Sequence, residues 1–183
     1  SERSLFEHRK LCGLCAGRLY RGTDRYDQRK GSWKRCCAWI AYGSNLNIAQ
    51  MQFRCPDAKV VGTAVIPDYE LLFKGSLTGA YLTIEPKQGA HVPVGVWEVS
   101  LADELRLDRY EGFPTFYYKK EIRLPVKGRH TGKTKLYDAF VYIMHEERKR
   151  GIPTGAYMHT CFAGYRDFGF DTALLLAAYD KSI

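Results

Sequence analysis

Ala38-Trp-Ile-Ala-Tyr42-Gly43-Ser44-Asn45-Leu46 is the stretch on which the reading of this 183-residue chain turns. Ala38 to Tyr42 is an apolar run of strand length, stopped by Gly43. Gly43-Ser44-Asn45 then makes a turn, and a helix-like segment runs from about Asn47 to Arg54 until Pro56 ends it. A strand that passes into a helix through a glycine and two small polar residues can aim several backbone N–H groups into one concavity, suited to a carboxylate or an oxyanion. Ser44 also carries a hydroxyl, which becomes a nucleophile only beside a positioned base. His159 is the histidine with small and aromatic neighbours, yet nothing in the sequence ties it to Ser44.

Downstream, strand-like runs separated by turn residues cover Lys59–Ile66, Tyr69–Lys74, Ala80–Ile84, Val92–Val99, Phe116–Val126 and Leu136–Met144. Lys127-Gly-Arg-His-Thr-Gly-Lys133 is a polar hairpin loop between the last two. Two short helical patterns close the chain, at about Gly155–Ala163 and Asp171–Tyr179. Seven short strands with helices inserted argue against a doubly wound parallel sheet. They predict an α+β fold, a small mixed, mainly antiparallel β-barrel with flanking helices.

Between the fourth and fifth of those later runs, Leu101–Glu111 reads as a helix. Ser100 with Asp103 three residues on is an N-terminal capping pattern, Gly112 stops the helix and Pro114 prevents its resumption. Glu104, Asp108 and Glu111 share one face. Glu111 falls at the helix C-terminus, where the dipole disfavours its negative charge and raises its pKa. A carboxylate so placed suits a general base, although acidic residues along a helix most often form its solvated face.

Composition divides the chain in two. Residues 1–36 carry 10 Lys/Arg against 4 Asp/Glu, whereas residues 37–183 carry 18 against 16. Four of the six cysteines, Cys12, Cys15, Cys36 and Cys37, fall in the first 37 residues. Cys12-Gly-Leu-Cys15 has the spacing of a zinc-ribbon knuckle, but the adjacent Cys36 and Cys37 replace the expected second pair, with His8 as a substitute ligand. Residues 1–37 are therefore read as a basic, cysteine-rich appendage, a degenerate zinc ribbon with a candidate structural zinc, and residues 38–183 as one domain. The nearly neutral body suits a small-molecule site rather than nucleic acid, while the head offers a surface for a protein partner. No apolar run approaches the roughly 20 residues that span a bilayer, and residues 1–10 lack the apolar centre of a secretory signal, so no membrane partner is expected and the cytoplasm is the expected compartment.

Tyr42-Gly-Ser-Asn-Leu46 after an apolar strand, followed later by Leu107-Asp-Arg-Tyr-Glu111-Gly-Phe-Pro114, resembles the gamma-glutamylcyclotransferase family. Arg54-Cys-Pro-Asp57, Gly95-Val-Trp97-Glu-Val and Tyr157 ahead of Gly164-Tyr-Arg-Asp-Phe-Gly-Phe-Asp171 support the resemblance, and Asn47-Ile-Ala-Gln-Met is similar to the AIG2-like branch. The resemblance implies that Tyr42, Gly43, Ser44, Asn45 and Leu46 cradle a gamma-glutamyl group, that Glu111 is the proton acceptor and that Tyr157 closes the pocket. It implies a cyclotransferase that releases 5-oxoproline and a free amine from a gamma-glutamyl amide without any cofactor. Two alternatives stand beside it: an inactive AIG2-like binding or regulatory module with a recruiting head, and a serine amidase or acyltransferase acting through Ser44.

Overall fold

Strand pairing organises the computed structural model, which describes residues 23–27, 32–76 and 79–182, with side-chain surroundings given from residue 37 onward except at residue 76. The elements run β1 (Thr23–Asp27), β2 (Ser32–Ala41), a 3₁₀ turn (Ser44–Leu46), α1 (Ile48–Arg54), β3 (Lys59–Ser76), β4 (Gly79–Ser100), α2 (Leu101–Glu111), β5 (Tyr117–Gly128), β6 (Thr134–Met144), α3 (Gly155–Phe168) and α4 (Ala173–Asp180). Cys12, Cys15 and His8 lie outside the described residues, as does the side chain of Cys36, and with them the zinc expectation. Among the described residues no group of His, Cys, Asp and Glu side chains is placed to hold a metal ion, and no helix is long and apolar enough to cross a membrane.

β2 pairs antiparallel with β4, β4 with β3, β3 with β5 and β5 with β6. β6 then returns parallel to β2, with Trp39 opposite Phe140, and the ring closes as a five-stranded mixed barrel. β1 lies outside that ring, paired with the first half of β2. The architecture is the α+β barrel that the sequence predicts.

The strand boundaries differ from expectation in an instructive way. Lys59–Ile66 and Tyr69–Lys74 are one strand, and so are Ala80–Ile84 and Val92–Val99. Pro67 and Asp68 read as a break because proline lacks an N–H donor and Asp68 adopts a φ of 57°. The pairing instead shifts register between Pro67 and Tyr69 and continues. β2 also starts at Ser32 rather than Ala38, running through the position at which composition divides the chain.

Two close approaches fix the barrel around the site. A Cβ on Gly62 would lie 2.0 Å from the Lys127 carbonyl oxygen, so only glycine lets β3 and β5 meet there. Leu46 is fully buried between two other glycines: a Cβ on Gly164 of α3 would sit 2.6 Å from its Cβ, and one on Gly95 of β4 would sit 2.7 Å from its Cδ2. α3 is thereby pressed directly onto the turn after β2. Phe73, Ile84, Val94, Val96 and Phe140, all at most 2% exposed, fill the core behind it.

Candidate active site

The site forms where the turn after β2 meets the C-terminus of α2. α2 begins at Ser100, whose hydroxyl accepts from the Asp103 N–H at 3.2 Å, and ends at Gly112, a left-handed cap with φ of 64° whose N–H returns to the Asp108 and Arg109 carbonyls. Capping at both ends leaves Glu111 as the last helical residue. In the turn, the Leu46 N–H donates to the Gly43 carbonyl at 2.9 Å and the Asn47 N–H to that of Ser44 at 3.0 Å. The Asn47 side chain then caps α1 by accepting from the Gln50 N–H at 2.9 Å.

Asn45 joins the two elements. Its amide Nδ2 donates to Glu111 Oε1 at 2.7 Å, and its Oδ1 accepts from the Arg54 guanidinium. Arg54 itself lies flat on Tyr110, 3.4 Å from the ring centroid. Glu111 is half-buried, with its carboxyl group turned into the protein. Desolvation pushes its pKa up from the ordinary carboxylate value to about 7, against the opposing pull of the Asn45 hydrogen bond and the Arg54 charge. The group thus titrates near neutrality, where a general base is most effective.

Two adjoining spaces open onto this carboxyl group. A recess of about 30 Å³ is lined by Trp39, Tyr42, Gly43, Ser44, Asn45, Leu82, Tyr117, Tyr142 and Tyr157 as well as Glu111. An outer cavity of about 330 Å³ shares Ser44, Glu111, Tyr117 and Tyr157 with it and adds Tyr81, Tyr110 and Phe116. Aromatic rings form most of the outer wall: Tyr81 stands edge-on to Tyr157 at 5.1 Å and to Phe116 at 6.3 Å. Tyr42 donates its hydroxyl to the Tyr142 carbonyl at 2.7 Å and Tyr117 to the Leu82 carbonyl at 2.9 Å, while Tyr157 Oη accepts from the Leu82 N–H at 3.1 Å. Burial pushes all three phenols well above the usual tyrosine range, which keeps them neutral. Gly43 is tightly enclosed, for a Cβ there would sit 3.3 Å from both Tyr157 Oη and Leu82 Cδ1. The indole N–H of Trp39 is buried without an acceptor among the described residues.

Of the residues singled out in the sequence, Tyr42, Gly43, Ser44, Asn45, Glu111 and Tyr157 therefore meet around one space. Leu46 does not. Its side chain lines neither space, being held between Gly95 and Gly164, and its N–H is used inside the turn. It packs behind the turn. The N–H groups of Gly43, Ser44 and Asn45 are those left outside the turn's own bonds. His159 is exposed on α3 and lines neither space, so it supplies no base to Ser44. The expected acidic face of α2 also divides: Lys119 of β5 bridges Glu104 at 2.6 Å and Asp108 at 2.7 Å, and Tyr142 donates to Asp108 at 2.6 Å. Only Glu111 of the three faces the cavity. Tyr117 and Tyr142 line the recess without being singled out in the sequence, since strand tyrosines carry no local signature, and Arg54 stands there only within the Arg54–Asp57 segment, with no role attached.

The sequence that builds this site matches a known family. Residues 39–159 match the family described as gamma-glutamyl cyclotransferase, AIG2-like. The chain belongs to that family. Among solved structures, it is similar to a gamma-glutamyl cyclotransferase at 24% identity, covering 80% of this chain and 86% of that one with a TM-score of 0.65. It is similar also to the human protein loc79017, described as uncharacterized, at 25% identity over 80% of this chain and 86% of that one, with a TM-score of 0.63. YkqA from Bacillus subtilis shares the fold at 15% identity and a TM-score of 0.64, with 81% of this chain covering 55% of that one. No curated protein matches the chain. Within the AIG2-like family the matched span includes both the turn at Gly43 and the carboxyl group of Glu111.

Proposed function

We propose that this AIG2-like protein is a cyclotransferase that acts on a small-molecule gamma-glutamyl amide and releases 5-oxoproline and a free amine. The observation that carries the reading is the carboxyl group of Glu111, bonded to Asn45 of the turn and titrating at about 7 beside a cavity with room for such a substrate. The substrate brings its own nucleophile, the alpha-amine, which is protonated in neutral water. Glu111 takes one proton from the ammonium, and the freed amine attacks the gamma-carbonyl carbon to form the lactam C–N bond. As the bond to the departing nitrogen breaks, Glu111 returns that proton to it. The second proton lost by the attacking nitrogen follows to the same amine, which leaves as an ammonium ion.

Because the reaction is intramolecular, holding the glutamyl chain bent supplies much of the rate. The outer cavity takes the amide and its amine substituent, and the recess, large enough only for a group the size of water, takes an oxygen of the glutamyl part. The buried indole N–H of Trp39 and the N–H groups of Gly43 to Asn45 are the donors around that recess, suited to an oxyanion. The step calls for no metal or organic cofactor, since nucleophile and leaving group both belong to the substrate.

A serine amidase is disfavoured because among the described residues no hydrogen bond joins the Ser44 hydroxyl to Glu111 or to a histidine, and a module without activity leaves the tuned carboxyl group without a role. The test is a panel of gamma-glutamyl amides incubated with the full chain and with Glu111→Gln, with 5-oxoproline measured. Release by the wild type alone is expected. No 5-oxoproline from any amide, or equal release by the variant, overturns the reading.

A further inference from the structure

The cavity at Glu111 is not the only concavity among the described residues. A second, of about 580 Å³, lies where β3, the end of β4 and the β5–β6 hairpin come together, and it shares no lining residue with the spaces at Glu111. Its wall holds Lys59 of β3, Arg129 and Lys133 of the hairpin loop and Lys135 of β6, against a single acidic residue, Glu98. All four cations are exposed, and among the described residues none of them forms an ion pair. Four exposed cations around one space that holds a single carboxylate raise the local potential and repel one another, a cost that an anion removes.

Trp97 also lines the space and is 1% exposed, an apolar wall beneath the cations. The loop that carries Arg129 and Lys133 is also held in place. The Arg129 N–H donates to the Val61 carbonyl at 2.9 Å, the Gly128 N–H to the Lys133 carbonyl at 2.9 Å and the Gly132 N–H to the Gly128 carbonyl at 2.9 Å. The Arg129 guanidinium stands 5.8 Å from the Phe168 ring, which packs on Trp97 at 6.0 Å. The cations are thus presented on a fixed scaffold around a concavity of ligand size.

We propose that this concavity binds a ligand bearing two or more linked phosphate groups. Four separated cations around one space call for several charges and several acceptor oxygens on one ligand, which linked phosphates supply and a single carboxylate does not. The first 36 residues carry 10 Lys/Arg against 4 Asp/Glu, so their own charge disfavours them as the occupant. The shared chemistry is that of inorganic oligophosphate and of a nucleoside triphosphate. Tyr137, which also lines the space, offers a ring only the nucleoside can use.

Calorimetric titration of the full chain with orthophosphate, tripolyphosphate, ATP and a single-stranded oligonucleotide tests the proposal. Saturable binding of tripolyphosphate, at least about tenfold tighter than orthophosphate, is expected, with Lys133→Gln/Lys135→Gln weakening it at least about tenfold. A charge-matched control, Lys87→Gln/Lys149→Gln, should leave it unchanged. ATP binding more tightly than tripolyphosphate identifies the nucleotide as the source, and equal affinity identifies the phosphate chain alone. Release of 5-oxoproline should be the same in both double variants, so loss of the anion site and failure of the cyclotransferase reading are separate results. Absence of saturable tripolyphosphate binding, binding by the oligonucleotide alone, or equal weakening in both double variants overturns the proposal.

Discussion

The side-chain amide of Asn45 donates to the carboxyl group of Glu111 at 2.7 Å, across 66 positions of sequence. That bond ties the turn after β2 to the end of α2 and sets the carboxyl group's orientation and its basicity together. Burial alone would carry the pKa of Glu111 beyond about 7; the Asn45 donor and the nearby Arg54 charge hold it back. Arg54 donates in turn to Asn45, so the amide cannot flip without losing both partners. The turn therefore both walls the cavity and positions the carboxyl group of Glu111.

Glu111→Gln keeps the shape of the side chain but cannot accept a proton. Cyclisation should fall by about 10²–10⁴-fold, the contribution expected of a general base. In the wild type kcat/KM should rise with pH and level off above about 7. A rate profile flat from pH 5 to pH 8 would assign the proton transfer to another group.

The same residue makes a prediction about stability. With a folded-state pKa of about 7 against the ordinary 4.5, Glu111 holds its proton more tightly folded than unfolded. Its stabilising contribution is complete below about 4.5 and is lost as pH rises through about 7. Glu111→Gln does not titrate, so wild type should lose about 1–2 kcal/mol relative to the variant between pH 4.5 and pH 8, less than the whole shift would give because the residue is only half-buried. Chemical denaturation of both proteins at the two pH values measures the difference.

Asn45→Ala removes the donor that favours the ionised carboxylate. The acid limb of the pH–rate profile should move upward by about one pH unit, with kcat lowered by about 10–100-fold at pH 7. A purely structural role for Asn45 would lower activity without moving the limb.

Local signals in the sequence carry as far as the ends of elements and no further. Ser100, Asp103 and Gly112 mark both ends of α2, and hence the terminal position of Glu111, because capping is settled within four residues. The turn at Gly43 is legible for the same reason. The Asn45–Glu111 bond is not, since it depends on how the barrel closes. Lys119 likewise reaches Glu104 and Asp108 from a different strand, which turns an apparently solvated face into a half-buried ion-paired one. Pro67 and Asp68 mislead the strand count because a local break and a register shift look alike in sequence. Leu46 belongs to the recognisable motif, yet its side chain is enclosed between Gly95 and Gly164 and lines neither space, an arrangement that only tertiary contacts reveal.

Ser44 shares the recess with Glu111, but among the described residues no hydrogen bond joins its hydroxyl to that carboxyl group or to a histidine, and His159 is exposed on the other side of α3 from Cys161 and Tyr165, which are buried. Ser44→Ala should therefore retain cyclisation within about tenfold of wild type, as expected for loss of one hydrogen bond to substrate rather than of a nucleophile. Trapping of an acyl-enzyme on Ser44 by mass spectrometry would contradict that expectation.

Gly164→Ala tests whether α3 holds the cradle in place. The added Cβ would lie 2.6 Å from both the Asn47 backbone nitrogen and Leu46 Cβ, too close for the native arrangement to survive unchanged. Gly164 is in the middle of α3, where alanine is otherwise the better helix former by about 1 kcal/mol, so any destabilisation must come from the contact itself. Overpacking of this kind typically costs about 1–3 kcal/mol, which should more than cancel the helical gain. The displacement falls on Leu46, and through it on Ser44 and Asn45, so kcat/KM should drop even at temperatures where the variant is fully folded. Leu46→Ala in the Gly164→Ala background removes the side chain that is struck. Partial recovery of activity in the double variant, relative to Gly164→Ala alone, is the expected result of a non-additive cycle. Strictly additive losses would show instead that α3 and the turn act independently, and that the cradle owes its position to β2 and α1 alone.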